Sequence, residues 1–283
     1  MANYIFSNIA GNFVIDSGNR IIDKSSDAVA LRAKYKAVEH ADAKIVLSLF
    51  RGKEYLSAFR EKNLAISKEK IRLSVNQDNL ISQSMNAMQE MEKVSNLLSK
   101  RLREWYSLYN PEFSESISSN SKFSELVSAK SREELLKEIG AKNTMGADLG
   151  KTDLDAINVL ASAIVRINAT KESTREYAEN IMKSYCPNLL GVAGVSLSAR
   201  LIEHTGSLKK LAFIPSSTIQ LLGAEKALFR HMRTGSRPPR HGFISEHQSI
   251  CSAPQKERGK LARQLAARIS KAVKIDYFRG KHD

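Results

Sequence analysis

The sequence has only two cysteines among its 283 residues, Cys186 and Cys251, and neither sits in a C-x-x-C pair. That argues against a disulfide framework or a structural zinc site and fits a reducing compartment. No run of residues approaches the ~18 apolar positions that a membrane-crossing helix needs. The opening stretch, Met1 to Gly18, lacks the basic segment and apolar core of a signal peptide, so a cytoplasmic location is expected. Glycine is scarce at 14 residues and aromatics make up only 7%, while Ala, Leu, Ser, Lys and Glu fill long stretches, which favours a mainly helical chain. The 42% hydrophobic content is still enough for real cores, and the length admits one to three domains.

Catalytic signatures are missing as well. No G-x-G-x-x-G follows a strand, as a nucleotide or methyl-donor site would require, and no phosphate-binding loop is present. Gly259-Lys260 lacks both the upstream glycine and the following Ser or Thr of such a loop. His241, Glu246 and His247 cluster in one segment, but their spacing matches no metal motif. Cys251 is near His247 in sequence only, which does not make a nucleophile. No enzyme, metal or cofactor is expected.

What the sequence does have is positive charge in one place. The chain carries 44 Lys/Arg against 30 Asp/Glu, a formal charge of +14. Residues 187–283 hold 17 of the basic and 6 of the acidic residues, so +11 of the excess falls in the last third. Such asymmetry points to a dedicated polyanion-binding module.

Three regions differ in pattern. Residues 1–72 mix strand and helix signals and predict a small α/β domain. Tyr4 to Phe6 and Asn12 to Ile15 flank Gly11 as a hairpin, with a turn at Asp16 to Asn19. Ser26 to Ala43 and Gly52 to Asn63 read as helices, and Ile45 to Phe50 as a short β-rich run.

In residues 73–186, Ile81, Met85, Met88, Met91, Val94, Leu98, Leu102, Trp105 and Tyr109 recur at steps of three and four, an apolar seam on one long helix that Asn110-Pro111 ends. A shorter helix is expected at Phe123 to Ile139, then a loop over Gly140 to Gly150. A second long helix follows, with its seam at Leu154, Ile157, Ala161, Ile164, Asn168, Ala178, Met182 and Tyr185. Two such helices pack antiparallel as a coiled-coil hairpin, a spacer and a dimerisation surface. Met85, Met88, Leu98, Leu102, Ile157 and Ile164 are the candidate dimerisation residues. Asn158 and Asn168, on or beside the second seam, are candidates for fixing its register or for simple solvation.

Residues 187–283 read as a compact all-α module, with helices over Leu189–His204, Ser207–Phe213, Ser216–Leu222, Ala224–Thr234 and Lys256–Tyr277 and an irregular loop at Gly235–Ala253. Lys226, Arg230, Arg233, Arg237, Arg240 and His241 cross a helix end and its loop, and Arg258, Lys260, Arg263 and Arg268 stud the last helix. Free N–H groups and the macrodipole at that helix start add to phosphate attraction. Phe213, Phe229, Phe243, Tyr277 and Phe278 lie far apart in sequence, and Phe213 and Phe229 are expected in the core. That distribution favours reading of backbone and shape over stacking on unpaired bases. His241 either stacks on an exposed base or packs within its loop.

The string Gly223-Ala224-Glu225-Lys226 resembles the GAEK signature of the Nop-domain family. Pro187-Asn188-Leu189, Ser198 to Ile202, Gly206-Ser207-Leu208 and Pro215 to Gln220 agree with it in order. So do Pro239-Arg240-His241-Gly242, Arg258 to Arg263, Asp276-Tyr277-Phe278 and, in the first long helix, Glu104-Trp105-Tyr106. The resemblance covers residues 73–283. It implies a non-enzymatic scaffold of an archaeal-type box C/D ribonucleoprotein, built as a small α/β domain, a long antiparallel coiled-coil hairpin and an all-α Nop domain. Its implied partners are a box C/D guide RNA held at a kink-turn, a small ribosomal-protein-like kink-turn-binding protein, a second copy joined through the coiled coil, and fibrillarin. The last is the S-adenosylmethionine-dependent 2′-O-methyltransferase, expected on residues 1–72. The RNA face would comprise Gly223, Ala224, Glu225, Lys226, Arg230, Arg237, Arg240, His241, Arg258, Lys260 and Arg263. The alternatives are a splicing-type Nop protein clamping a small nuclear RNA, an enzyme acting on RNA through the 241–247 loop, and a coiled-coil adaptor whose basic module is merely soluble.

Overall fold

The computed structural model describes residues 3–18, 20–39 and 49–279. They form two compact units, residues 1–75 and 76–283.

In the first unit, strands β1 (Tyr4–Asn8), β2 (Gly11–Ile15), β3 (Ile21–Ser25) and β4 (Val38–Glu39) make a sheet of order β3-β2-β1-β4. β1 and β2 form the expected hairpin, with Phe6 opposite Phe13, and β1 pairs with β4 in parallel. β3 was not anticipated; its Ile-Ile-Asp-Lys-Ser sequence alternates too weakly to announce a strand. Between β3 and β4 runs α1 (Ala28–Tyr35), capped by the Asp27 side chain. The helix expected over Ser26 to Ala43 therefore stops early, because Lys36 turns left-handed (φ 47°) and Val38 joins the sheet. Residues 40–43 of that expected helix, and 45–48 of the expected β-rich run, lie outside the described residues.

Phe13, Ile15 and Phe50 are the core on one face of the sheet, with the Phe13 and Phe50 rings 4.7 Å apart edge-to-face. Leu31 packs with Ile5 and Val14 in a second small cluster. The next helix, α2 (Lys53–Ser74), runs eleven residues past its expected end at Asn63, since no glycine or proline interrupts its Ala, Leu, Lys and Glu content.

The second unit is built on the helical hairpin. α3 (Gln77–Tyr106) starts with an Asn76–Asn79 capping box, and α7 (Lys151–Tyr185) returns beside it. Their directions oppose: Ile81 shares a core with Met182, while Leu102 shares one with Ile157, Ala161 and Ile164. The α3 seam runs through Ile81, Met85, Met88, Ser95, Ser99, Leu102 and Tyr106. It is one residue out of step with the expected one in its second half, leaving Val94 45% and Trp105 40% exposed. Seven-residue steps from Ile81 reach Met88, Ser95 and Leu102, and two such steps from Met85 reach Ser99. Small hydroxyl residues let the helices approach there, and the Ser95 hydroxyl donates to Asn168 Oδ1 at 2.8 Å. Asn168 thus pairs polar groups across the hairpin, while Asn158 is exposed. α3 ends at Tyr106, short of the expected stop at Asn110-Pro111, and Asn110 instead caps a new helix that Pro111 starts.

That excursion comprises α4 (Pro111–Ser116), α5 (Asn120–Ala129) and α6 (Arg132–Glu138). The single helix expected at Phe123 to Ile139 is thus two, broken at Lys130-Ser131, where Ser131 and Glu134 form a new capping box. Phe113 and Phe123 pack against Tyr106 and fix this end of the hairpin.

α8 (Pro187–Thr205), α9 (Leu208–Phe213), α10 (Ser216–Leu221), α11 (Glu225–Thr234), a 3-10 turn (Phe243–Glu246), α12 (Gln248–Cys251) and α13 (Arg258–Phe278) complete the unit. Their core, which includes Leu189, Leu201, Ile219, Ile244 and Ile269, is continuous with Ile81, Met85 and Met88 of α3. Two carboxylates tie the pieces. Asp276 accepts from the backbone N–H of Asn188 (3.1 Å) and Leu189 (2.8 Å) at the start of α8. Asp78, itself buried, accepts from Leu208 N–H at 3.0 Å at the start of α9. Each places negative charge at a helix N-terminus, where the macrodipole favours it. Among the described residues, no helix is long and apolar enough to cross a membrane.

Candidate nucleic-acid interface

The turn at Gly223 to Lys226 is held from three sides. Gly223 adopts φ +86°, and a Cβ there would come within 2.4 Å of the Phe243 ring, so both the conformation and the contact demand glycine. Glu225 opens α11 and folds its carboxylate back, accepting from Gly223 N–H at 2.7 Å and from His204 Nε2 at 2.8 Å. Burial opposes ionisation of Glu225, but the amide hydrogen bonds from Gly223 and from its own backbone, with His204, outweigh it and hold the carboxyl below the ordinary range. The acidic residue in this basic sequence is therefore spent on the turn, which leaves the neighbouring lysine to face outward.

Phe243 organises the surroundings. The Arg200 guanidinium lies 4.3 Å from its ring centre, and His204 meets it edge-on at 5.0 Å. Arg200 also forms an ion pair with Glu246. Neither Arg200 nor Phe243 was picked out as a site residue from the sequence. A hint lay in the glycine, since a fixed glycine implies a close neighbour, but nothing in the sequence names that neighbour.

The loop after α11 is laced to the end of α10. Gln220 Nε2 donates to the Arg240 carbonyl at 2.6 Å, Gly242 N–H to the Gln220 carbonyl at 2.9 Å, and Phe243 N–H to the Leu222 carbonyl at 2.8 Å. A Cβ on Gly242 would sit 1.9 Å from the Leu222 oxygen, so this approach also requires glycine. His231 Nδ1 donates to the Ser236 carbonyl and secures the far end of the loop.

These bonds shape an open cleft of about 610 Å³ lined by Gln220, Arg237, Arg240, Gly259 and Arg263. Three arginines from two segments, more than twenty residues apart in sequence, thus converge. Lys226 and Arg230 are exposed on α11, a helix with no buried residue at all, and are not among the lining residues. Lys260 is exposed in the first turn of α13, and His241 is half-buried within its loop. Among the described residues, no carboxylate lies within 4 Å of Lys226, Arg230, Arg237, Arg240, Lys260 or Arg263, so each can take an outside anion.

Arg258 is different. Its guanidinium donates to the carbonyls of Ala253 (2.9 Å) and Cys251 (3.1 Å), so it closes the loop that leads into α13. The 241–247 cluster is also engaged: Glu246 pairs with Arg200, His247 Nδ1 is hydrogen-bonded to the backbone and hydroxyl of Ser249, and Cys251 donates to the Ser245 carbonyl.

The expectation that Phe213 and Phe229 are core is overturned: they are 64% and 61% exposed. Both sit on short helices whose buried faces are filled by other residues or are absent, as in α11. The aromatics thought scattered also partly converge, with Phe213, Tyr277 and Phe278 centroids 4.9–6.0 Å apart.

The candidate dimerisation residues lie mostly inside one chain. Met85, Met88, Leu102, Ile157 and Ile164 are buried where α3 packs on α7 and α8, and Leu98 is half-buried against the same core. A second copy cannot reach the five without opening the hairpin. The large apolar residues left exposed on α3 are Leu80, Val94, Leu97 and Trp105.

Comparison with known proteins gives a consistent pattern. Residues 87–283 match the family described as Nop, the snoRNA-binding domain, fibrillarin. An uncharacterized NOP5 family protein of Methanocaldococcus jannaschii is 41% identical over 216 residues, which cover 71% of this chain and 52% of that protein. Nucleolar protein 56 of Homo sapiens is 36% identical over 233 residues (75% of this chain, 39% of that one), and nucleolar protein 58 of Mycosarcoma maydis 32% over 229 (75% and 39%). The chain therefore spans about half or less of the length of these relatives. A crystal structure of a fibrillarin/Nop5p complex aligns over 99% of this chain and 93% of that one, at 22% identity and a TM-score of 0.46.

Proposed function

Because the chain belongs to the Nop family, we propose that it is the RNA-holding scaffold of a box C/D-type ribonucleoprotein. The observation that carries this reading is the cleft between α10, the 235–242 loop and α13, where Arg237, Arg240 and Arg263 converge without carboxylate partners among the described residues. Guanidinium groups match phosphate oxygens bidentately, and clustered cations without internal partners are what a folded RNA backbone recruits. Lys226 and Arg230 add exposed cations on α11.

On this reading the protein positions RNA and contributes no catalytic group. The histidines and the carboxylate of the 241–247 segment that would serve an RNA-processing enzyme are engaged in the fold, apart from His241. Methyl transfer then falls to a fibrillarin-type partner, which the scaffold carries on residues 1–72. A small kink-turn-binding protein completes the RNA site on the Nop module of residues 187–283. A second copy joins through the hairpin of residues 73–186, on the outer face that exposes Val94, Leu97 and Trp105. The archaeal setting and the cytoplasmic location belong to the same proposal.

The test is RNA binding by the full chain with a box C/D kink-turn RNA and its kink-turn protein, across a salt series. The scaffold reading expects a ternary complex on the kinked RNA, none on a straight duplex, and affinity that falls steeply with salt. Equal affinity for kinked and straight RNA would sink it.

A further inference from the structure

The arginine cleft has a neighbour on the same two helices. Beyond it, the groove between α10 and the C-terminal half of α13 holds a second concavity of about 460 Å³, lined by Ser216, Lys271, Lys274, Phe278 and Arg279. α10 contributes Ser217 and Gln220 to the first and Ser216 to the second, while α13 contributes Gly259 and Arg263 to the first and Lys271 to Phe278 to the second. Arg263, Ala267, Lys271, Lys274 and Phe278 are all exposed and recur at steps of three and four, so they form one stripe along α13. Over the fifteen residues from Arg263 to Phe278 the stripe is about 22 Å long.

Two features give this second groove a chemistry of its own. Lys271, Lys274 and Arg279 have no carboxylate within 4 Å among the described residues. At its end stand two aromatic rings that the core does not use: Phe278 is 60% and Phe213 64% exposed, with centroids 5.6 Å apart, and Tyr277, which packs on the core, supports Phe278 at 4.9 Å. A folded duplex has no unstacked face to offer such rings, whereas an unpaired strand offers one at every base. An acidic peptide would satisfy the lysines but would leave the aromatic end idle.

We propose that this groove binds a single-stranded RNA segment, with phosphates on Lys271 and Lys274 and a base stacked on Phe278 against the Phe213 edge. The inference rests on the RNA-scaffold reading and extends it: the arginine cleft takes the folded RNA, and α13 guides an unpaired strand away from it. A stripe of about 22 Å accommodates roughly six nucleotides at the stacked spacing of about 3.4 Å.

The experiment measures binding of the full chain to two labelled probes at about 50 mM and 200 mM salt: decauridylate, and a box C/D kink-turn RNA with its kink-turn protein. The expected result is that Phe278→Leu weakens decauridylate at least about fivefold, the low end of one lost base stack, and leaves the kink-turn RNA unchanged. The double variant Lys271→Gln, Lys274→Gln weakens decauridylate and flattens its salt slope by about 1.4. It keeps the aromatic cluster, so it still reports if Phe278→Leu fails to fold. Arg263→Gln weakens the kink-turn RNA. Unchanged decauridylate affinity in both groove variants, or equal loss on both probes, overturns the groove. Kink-turn binding without any decauridylate binding by the unsubstituted chain also overturns it and leaves the scaffold standing. Failure of both probes to bind removes both.

Discussion

Glu225 accepts a hydrogen bond from His204 Nε2 at 2.8 Å while the same oxygen accepts from Gly223 N–H at 2.7 Å. One carboxylate therefore couples α8, the glycine turn and the start of α11. Glu225→Ala removes two hydrogen bonds, one of them to a ring nitrogen, and should cost about 1–2 kcal/mol at this half-exposed site. Thermal melting should fall by about 2–8 °C.

The same carboxylate predicts a dependence on pH. Its folded value is lowered, so its contribution is fully present above the ordinary glutamate range and is lost as pH falls through the folded value. The melting temperature of the native chain and of Glu225→Gln should thus converge on acidification below about pH 4 and differ at neutral pH. A constant gap across that range would show that the charge on Glu225 does not stabilise the turn.

Gly242→Ala should be more damaging than an alanine at most surface glycines. The added Cβ would meet the Leu222 carbonyl oxygen at 1.9 Å, and backbone cannot swing aside as a side chain can. The loop carrying Arg237 and Arg240 should detach from α10, with about 1–3 kcal/mol lost. Hydrogen exchange would show it as lost protection at Gly242 and Phe243, the two amides that bond to α10, with the hairpin seam unaffected.

The two thiols should react at very different rates. Cys186 is fully buried, and burial, with Asp276 and Asp78 nearby, pushes its thiol up to about 12. Cys251 is exposed. Since the thiolate is the reactive form, a thiol reagent at pH 8 should titrate one cysteine rapidly in the native chain and two after unfolding. Two fast thiols in the native state would mean that α8 does not close over Cys186.

How much of this was legible in the sequence depends on which physical rule set each position. The seam residues Ile157, Ala161, Ile164 and Met182 followed from period alone, because a helix buries whatever recurs at three and four. Val94 and Trp105 misled, because composition cannot say which of two adjacent stripes faces a partner, and here small serines took the inside. Lys36 ended α1 in a left-handed turn that no glycine announced. Charge density located Arg237, Arg240 and Arg263 correctly as exposed cations, yet it also selected Arg258, whose bonds to two carbonyls are a tertiary fact. Phe243 and Arg200, which shape the turn, carry no local pattern at all.

Arg263 and Arg258 lie five residues apart near the start of α13 and should separate function from stability. Arg263 lines the cleft and has no carboxylate partner among the described residues. Arg263→Gln should therefore leave melting within about 1 °C, weaken RNA binding and lower the salt slope by about one counterion. Arg258 spends its guanidinium on the Cys251 and Ala253 carbonyls, and Arg258→Gln leaves both without it. That variant should lose about 1–3 kcal/mol of stability, while the RNA salt slope at a temperature where it remains folded stays unchanged. Thermal melting and a salt titration on the two proteins check both halves. A changed slope in Arg258→Gln would return Arg258 to the RNA face, and an unchanged slope in Arg263→Gln would take the cleft off it.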